Sequence, residues 1–170
     1  MTDERFRLLV FDWDGTLIDS IERIVTSLQF ASREVCGIDL GEALARSVIG
    51  LGLHEAIERL HPELDAVHVE SLAAVYRQNF LYDSRVPELL FDGVEDMLQQ
   101  LSADRYTLAI ATGKSRTGLD RAMQRFDLGR YFSATRCADE SRSKPDPVSY
   151  THLTLPTTCN LCRSRWSPDQ

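Results

Sequence analysis

Apolar positions along the chain fall into two rhythms. Residues 7–11, Arg-Leu-Leu-Val-Phe, form a short run that ends in acidic residues and a glycine. Such a run suits a buried parallel strand that delivers a loop at its C-terminal end. Ile18, Ile21, Ile24, Val25, Leu28, Ala31 and Val35 then recur at helical spacing until Gly37 stops the pattern. Residues 42–49 and 53–60 predict two more short helices around Gly50 and Gly52, and Pro62 starts or precedes another, with Leu64, Val67, Leu72, Val75, Tyr76 and Phe80 on one face. No strand is expected between residues 17 and 86.

The rhythm then changes. Asp92 reads as an N-cap, followed by Val94, Met97, Leu98 and Leu101 on one helical face. Thr107-Leu108-Ala109-Ile110-Ala111 predicts a second buried strand that ends in Thr112-Gly113-Lys114-Ser115. Leu119, Ala122, Met123 and Phe126 mark the next helix, closed near Gly129, and residues 132–137 predict a third strand. Strands alternating with helices indicate an α/β fold with a parallel sheet and with ligands at the strand C-terminal ends. The helical block is expected to be an insert over that edge, as a lid would be. After Pro147 the chain turns threonine-rich and loses any 3.6-residue period, so residues 148–170 read as foreign to the domain.

Composition narrows the function. The 170 residues are 43% hydrophobic and 26% charged, enough for one soluble domain with a small insert. A net charge of −7 argues against nucleic acid as a partner, because a phosphate backbone needs a basic face. No apolar run approaches the ~20 residues of a membrane span, and the charged N-terminus is unlike a signal peptide. Cys36, Cys137, Cys159 and Cys162 then read as reduced thiols of a cytoplasmic protein, with Cys36 and Cys137 as small apolar fillers. Cys159 and Cys162 form a lone Cys-x-x-Cys, a weak zinc or redox signal without a second pair. Lys114 and Lys144 are the only lysines in the chain, which makes a lysine at a motif position more telling.

Asp12 and Asp14 stand two apart, just past the first strand. In extended backbone such residues face the same side. Two converging carboxylates suit a hard divalent cation such as Mg2+. One can serve as a nucleophile while the other holds and releases a proton. Gly15 permits a tight turn after them. A hydroxyl at Thr112, at a strand-to-helix junction, suits a phosphoryl oxygen, with Gly113 and the helix start beside it. Taken alone, Thr112 would read as a simple N-cap. Lys144, before Pro145, could neutralise Asp12 and a phosphoryl group together, although taken alone it would read as an exposed loop lysine.

Asp12-Trp13-Asp14-Gly15-Thr16 resembles motif I of the haloacid dehalogenase-like hydrolase superfamily. Ala111-Thr112-Gly113-Lys114 resembles its motif II and Ser143-Lys144-Pro145-Asp146-Pro147 its motif III. The resemblance implies a Rossmann-like core from residues 1–16 and 87–147, with an α-helical cap over residues 17–86. It implies that Asp12 attacks phosphorus to form an aspartyl-phosphate, while Asp14 protonates the leaving alcohol and then activates water. Thr112, Gly113 and Lys144 would bind the phosphoryl group, with Lys114 in second place. The Asp12 carboxylate and the Asp14 carbonyl would hold Mg2+. No acidic motif IV follows Lys144, so the core is expected to be incomplete.

The helical insert resembles the phosphoglycolate phosphatase and β-phosphoglucomutase-like branch. Within it, Val48 to Leu53 resembles the substrate-facing loop, and Arg46, His54 and Arg77 are candidate substrate contacts, although a solvated helix residue is the better expectation for each. His61 reads as a helix-boundary residue. The expected partner is a small phosphorylated metabolite, and the expected reaction is phosphomonoester hydrolysis. A phosphomutase using the same residues is the alternative, and a chain without motif IV that turns over weakly or not at all is the non-catalytic one. Asp139 and Glu140 are expected to be solvent-facing loop acids.

Overall fold

The computed structural model describes residues 7–140. Lys144 and residues 148–170 lie outside the described residues. The chain divides into two compact units. One takes in Leu17 and the residues before it together with Leu90 onward, and the other runs from Ile18 to Leu89.

The first unit is built on a parallel sheet of β1 (Leu8–Phe11), β4 (Thr107–Ala111) and β5 (Phe132–Arg136), in the order β1-β4-β5. The register sets Phe11 against Ile110 and Ala111 against Arg136, so all three strands release their loops at one end. Leu108, Ala109, Ile110 and Ala111 are buried, as a central parallel strand covered on both faces requires. β1 is half-buried along its length. Helix α5 (Val94–Ala103) precedes β4, and α6 (Arg116–Phe126) links β4 to β5 through a single 3-10 turn at Gly129–Tyr131. Leu98 of α5 and Leu119, Met123 and Leu128 between β4 and β5 are among the buried side chains here.

The start of α5 corrects one expectation. Its N-cap is Gly93, with φ of 80°, and not Asp92. The chain needs a left-handed residue to turn into the helix, and glycine adopts that conformation without the penalty a Cβ brings.

The second unit is helical: α1 (Ile21–Cys36), α2 (Glu42–Arg46), α3 (Leu53–Leu60) and α4 (Ala66–Gln78), closed by a π-helical turn at Asn79–Asp83. Gly37 ends α1 in the left-handed conformation. Helix α4 starts at Ala66 and not at Pro62, because the Asp65 carboxylate caps it by accepting the His68 N–H at 2.9 Å. Val25, Leu28, Leu40, Ala45, Val48, Ala56 and Leu60 form one core cluster, and Ala31, Ile57, Val69, Leu72 and Ala73 a second. His61 ends α3 and is buried, with Nε2 2.9 Å from the Ser32 hydroxyl. Ile18 is not helical. With Asp19 it makes β2, which pairs with β3 (Leu89–Leu90) in a two-stranded ribbon too short to show a period.

Arg23, on α1, is a buried charge of this unit. Its guanidinium donates to the Phe80 carbonyl through Nε at 2.8 Å and through Nη2, and to the Val86 carbonyl through Nη1 at 2.9 Å. It also lies over the Phe80 ring, 5.1 Å from the centroid. Charged donors to buried carbonyls contribute about 1.5–3 kcal/mol each. Arg23→Met keeps the stem and orphans both carbonyls, so it should destabilise by about 2–3 kcal/mol, read as a lower urea midpoint with unchanged slope. No helix among the described residues is long and apolar enough to cross a membrane.

Candidate active site

The site is assembled where β1 and β4 end side by side. The loop after β1 alternates: Trp13 is fully buried, whereas Asp12 and Asp14 on either side of it are only partly buried. The inward tryptophan anchors the loop and turns both carboxylates the other way. One Asp12 oxygen accepts the Trp13 N–H at 2.8 Å, which fixes the side chain over its own backbone. Gly15, at φ of 74°, lets the chain fold back so that the Leu17 N–H reaches the Trp13 carbonyl at 3.0 Å.

The loop after β4 is tied to both neighbours. The Thr112 N–H donates to the Arg136 carbonyl at 3.0 Å, and the Ala138 N–H donates to the Lys114 carbonyl at 3.1 Å. These bonds continue the β4–β5 pairing past the strand ends. Thr112 is buried, and its hydroxyl oxygen accepts the Lys114 N–H at 3.1 Å. A hydroxyl has a single O–H to give, so this arrangement leaves that proton for another acceptor. Thr112 is not the helix cap. Ser115 caps α6, accepting the Gly118 N–H at 3.3 Å. Gly113 lies between them, partly buried.

Lys114 bridges the two loops. Its ammonium donates to Asp14 Oδ1 at 2.9 Å and Oδ2 at 3.3 Å. The Lys114 and Asp14 side chains are 9% and 17% exposed, so water screens this pair far less than a surface one. Among the predicted site residues, the structure therefore brings together Asp12, Asp14, Thr112, Gly113 and Lys114 around the ends of two strands. Lys144, the remaining one, lies outside the described residues.

Arg116, Asp139 and Glu140 were not anticipated as a unit. The Asp139 carboxylate accepts the Arg116 N–H through both oxygens at 3.0 Å. The Arg116 guanidinium binds Glu140 in a two-pronged bond of 2.8 and 2.7 Å and the Thr135 hydroxyl at 2.8 Å. Glu140 also accepts the Cys137 N–H at 3.1 Å. The two acids are exposed, as expected of loop acids, and what the sequence did not show is that both pair with Arg116 across the turn after β5. Cys137 beneath them is buried, and burial pushes its thiol up to about 12, so it behaves as an inert filler.

In the helical unit, Arg46 pairs with Glu42 at 2.8 Å, and His54 and Arg77 share Glu70 at 2.7 and 3.0 Å. Hydrogen bonds from His54 and Arg77 hold the Glu70 carboxyl below its ordinary value. Each is a solvated helix residue with an acidic partner.

Among the described residues no group of three His, Cys, Asp or Glu side chains is arranged to hold a metal. That excludes a closed cage of the zinc kind from these residues. The oxygen donors that the motif I resemblance implies are the Asp12 carboxylate and the main-chain carbonyl of Asp14, and the Asp14 carboxylate is engaged by Lys114. Few, hard oxygen donors fit a cation that keeps several waters and takes one or two protein carboxylates plus substrate phosphate, which is the habit of Mg2+.

Residues 9–160 match the haloacid dehalogenase-like hydrolase family model. The chain belongs to that family. The haloacid dehalogenase-like match begins in β1 and runs past Lys144 and Pro147. The chain is 32% identical over 146 residues to the probable phosphatase IndB of Dickeya dadantii, covering 82% of this chain and 63% of that protein. It is 28% identical over 165 residues to phosphoglycolate phosphatase of Vibrio vulnificus, covering 90% of this chain and 71% of the relative. The chain thus spans about two thirds of the length of these relatives. The crystal structure of a predicted phosphoglycolate phosphatase from Haemophilus somnus shares the fold with a TM-score of 0.77 at 24% identity, over 87% of this chain and 70% of that one.

Proposed function

We propose that the protein is an Mg2+-dependent phosphomonoesterase acting on a small phosphorylated metabolite through an aspartyl-phosphate on Asp12. The observation that supports this best is the pairing of Phe11 with Ile110, which places the Asp12–Asp14 loop beside the Thr112–Ser115 loop. Carboxylate nucleophile, proton carrier and phosphate-binding hydroxyl then share one end of one sheet, where α/β folds bind ligands. The phosphatase and phosphoglycolate phosphatase relatives point the same way.

In this reading an Asp12 oxygen attacks phosphorus and the bond to the ester oxygen breaks. Asp14 gives that oxygen a proton as it leaves. Asp14, now a carboxylate, takes a proton from the water that attacks the phosphoenzyme, and Asp12 and inorganic phosphate are released. Thr112 donates its O–H to a phosphoryl oxygen, and Lys144 supplies a second positive charge there. Bound Mg2+, held by the Asp12 carboxylate and the Asp14 carbonyl, would add positive charge at the phosphoryl oxygens. In this reading the helical unit Ile18–Leu89 is the part of the chain that selects the substrate.

The test is a panel of small phosphomonoesters, phosphoglycolate and hexose phosphates included, assayed for free phosphate. Release that is lost on chelation and restored by added Mg2+ is the expected result. No release from any ester argues for an inert chain. Isomerised sugar phosphate without free phosphate argues for a phosphomutase.

A further inference from the structure

Lys114 sits at an unusual place for a lysine in an acidic chain. Its side chain is nearly buried, it is one of only two lysines, and its ammonium reaches both oxygens of a carboxylate one hundred residues away in sequence. The path it takes is also specified. Its stem crosses the first turn of α6 at Gly118, which is buried. A Cβ at Gly118 would stand 3.1 Å from Lys114 Cγ, 3.6 Å from Lys114 Cδ and 3.3 Å from the Ser115 hydroxyl oxygen. Glycine is a poor helix residue, costing about 0.5–1 kcal/mol against alanine. It has a use here because the lysine stem occupies the space a side chain would fill.

We propose that Lys114 is a positioning residue, holding the Asp14 carboxylate in one orientation over the strand ends, and that Gly118 is the opening through which it does so. This rests on the reading of Asp14 as the proton carrier of a phosphatase. A carboxylate next to a flexible glycine has several side-chain orientations. Proton transfer requires hydrogen-bond reach to the ester oxygen. A two-oxygen contact to a lysine whose carbonyl is tied to Ala138 in the turn after β5 and whose N–H is tied to Thr112 removes that freedom. The same contact couples the motif I loop to the phosphate-binding loop, so that both present their groups together.

The role has a signature that loss of structure lacks. Proton donation matters for a poor leaving group and hardly at all for a good one. Lys114→Met is therefore expected to lower kcat on glycerol phosphate by about 10–100-fold, with KM altered less than about threefold. On dinitrophenyl phosphate the loss in the same variant should be at least about fivefold smaller than on glycerol phosphate. Gly118→Ala keeps the lysine and favours the helix, so its melting temperature should hold or rise, while the stem must shift by a few tenths of an ångström. It should show the same contrast between the two esters at several-fold.

A stability cycle over Asp14→Asn, Lys114→Met and the double variant reads the contact without any turnover. Non-additivity of at least about threefold in the unfolding constant is expected, and additivity sinks the contact and the role with it. Wild-type protein that turns over while Lys114→Met slows both esters equally, or raises KM alone, sinks the role and leaves the phosphatase reading standing. Wild-type protein that releases no phosphate from either ester sinks that reading and the role with it, even where the cycle shows the contact.

Discussion

Asp12→Asn should abolish Mg2+-dependent phosphate release, by about 10⁴-fold or more, while leaving the fold intact. The substitution isolates chemistry from structure. Asparagine has the shape of aspartate and keeps an Oδ1 that can accept the Trp13 N–H now bonded at 2.8 Å. The loop geometry therefore has no reason to change, and the melting temperature should stay within about 2 °C of wild type. What is lost is the negative oxygen. An amide oxygen is a poor nucleophile toward phosphorus, and a neutral side chain is a poor ligand for a hard dication. Two measurements check this together. Steady-state phosphate release gives the fold-loss, and acid-quenched protein incubated with labelled substrate shows phosphate retained on wild type and absent from the variant. A variant that keeps more than about a tenth of the wild-type rate would remove Asp12 from the nucleophile's role.

The parts of this molecule that were legible in its sequence are those where chemistry and period coincide over a few neighbouring residues. Leu8–Phe11 and Leu108–Ala111 are uninterrupted apolar runs; the second is the buried stretch of the central strand β4, and the first pairs with it as the half-buried β1. The acidic and hydroxylic residues right after them were then readable as loop chemistry at the strand ends. The 3.6-residue spacing gave α1 and α6 for the same local reason.

What stayed hidden depends on partners distant in sequence. Lys114 could be ranked only as a second helper of the anion, because its partner Asp14 is one hundred residues away and no spacing announces the pair. Asp139 and Glu140 looked like idle loop acids because their partner Arg116 stands more than twenty residues upstream. Arg23 is invisible as a clamp until α1 and the π-helical turn are in place. The β2–β3 ribbon has two residues a side and so carries no alternation to detect. Long-range polar pairs are the part of a fold that periodicity does not encode. Here they supply the connections between loops that the period already located.

Arg116 is where several such contacts meet on one side chain. Its guanidinium holds two carboxylate oxygens and a threonine hydroxyl, with its side chain three-quarters buried and Glu140 in a similar setting. Removing one member of a fully buried pair costs about 3–5 kcal/mol, and partial exposure lowers this. Arg116→Met should therefore destabilise by about 2–4 kcal/mol, a fall of roughly 5–10 °C in melting temperature. Glu140→Gln tests the same clamp from the other side and adds a pH readout. Burial pushes the Glu140 carboxyl up, but hydrogen bonds from Arg116 and the Cys137 N–H, with the charges of Arg116 and Arg136, outweigh it and hold the group below its ordinary value. A carboxyl lowered on folding binds fewer protons in the native state than in the unfolded one. Its contribution is thus present above the unfolded value and lost as pH falls through the folded one. Wild-type stability should drop on acidification across that window, and Glu140→Gln should drop less, because its amide does not titrate. Parallel acid profiles for the two proteins would show that the clamp is geometric and not ionic.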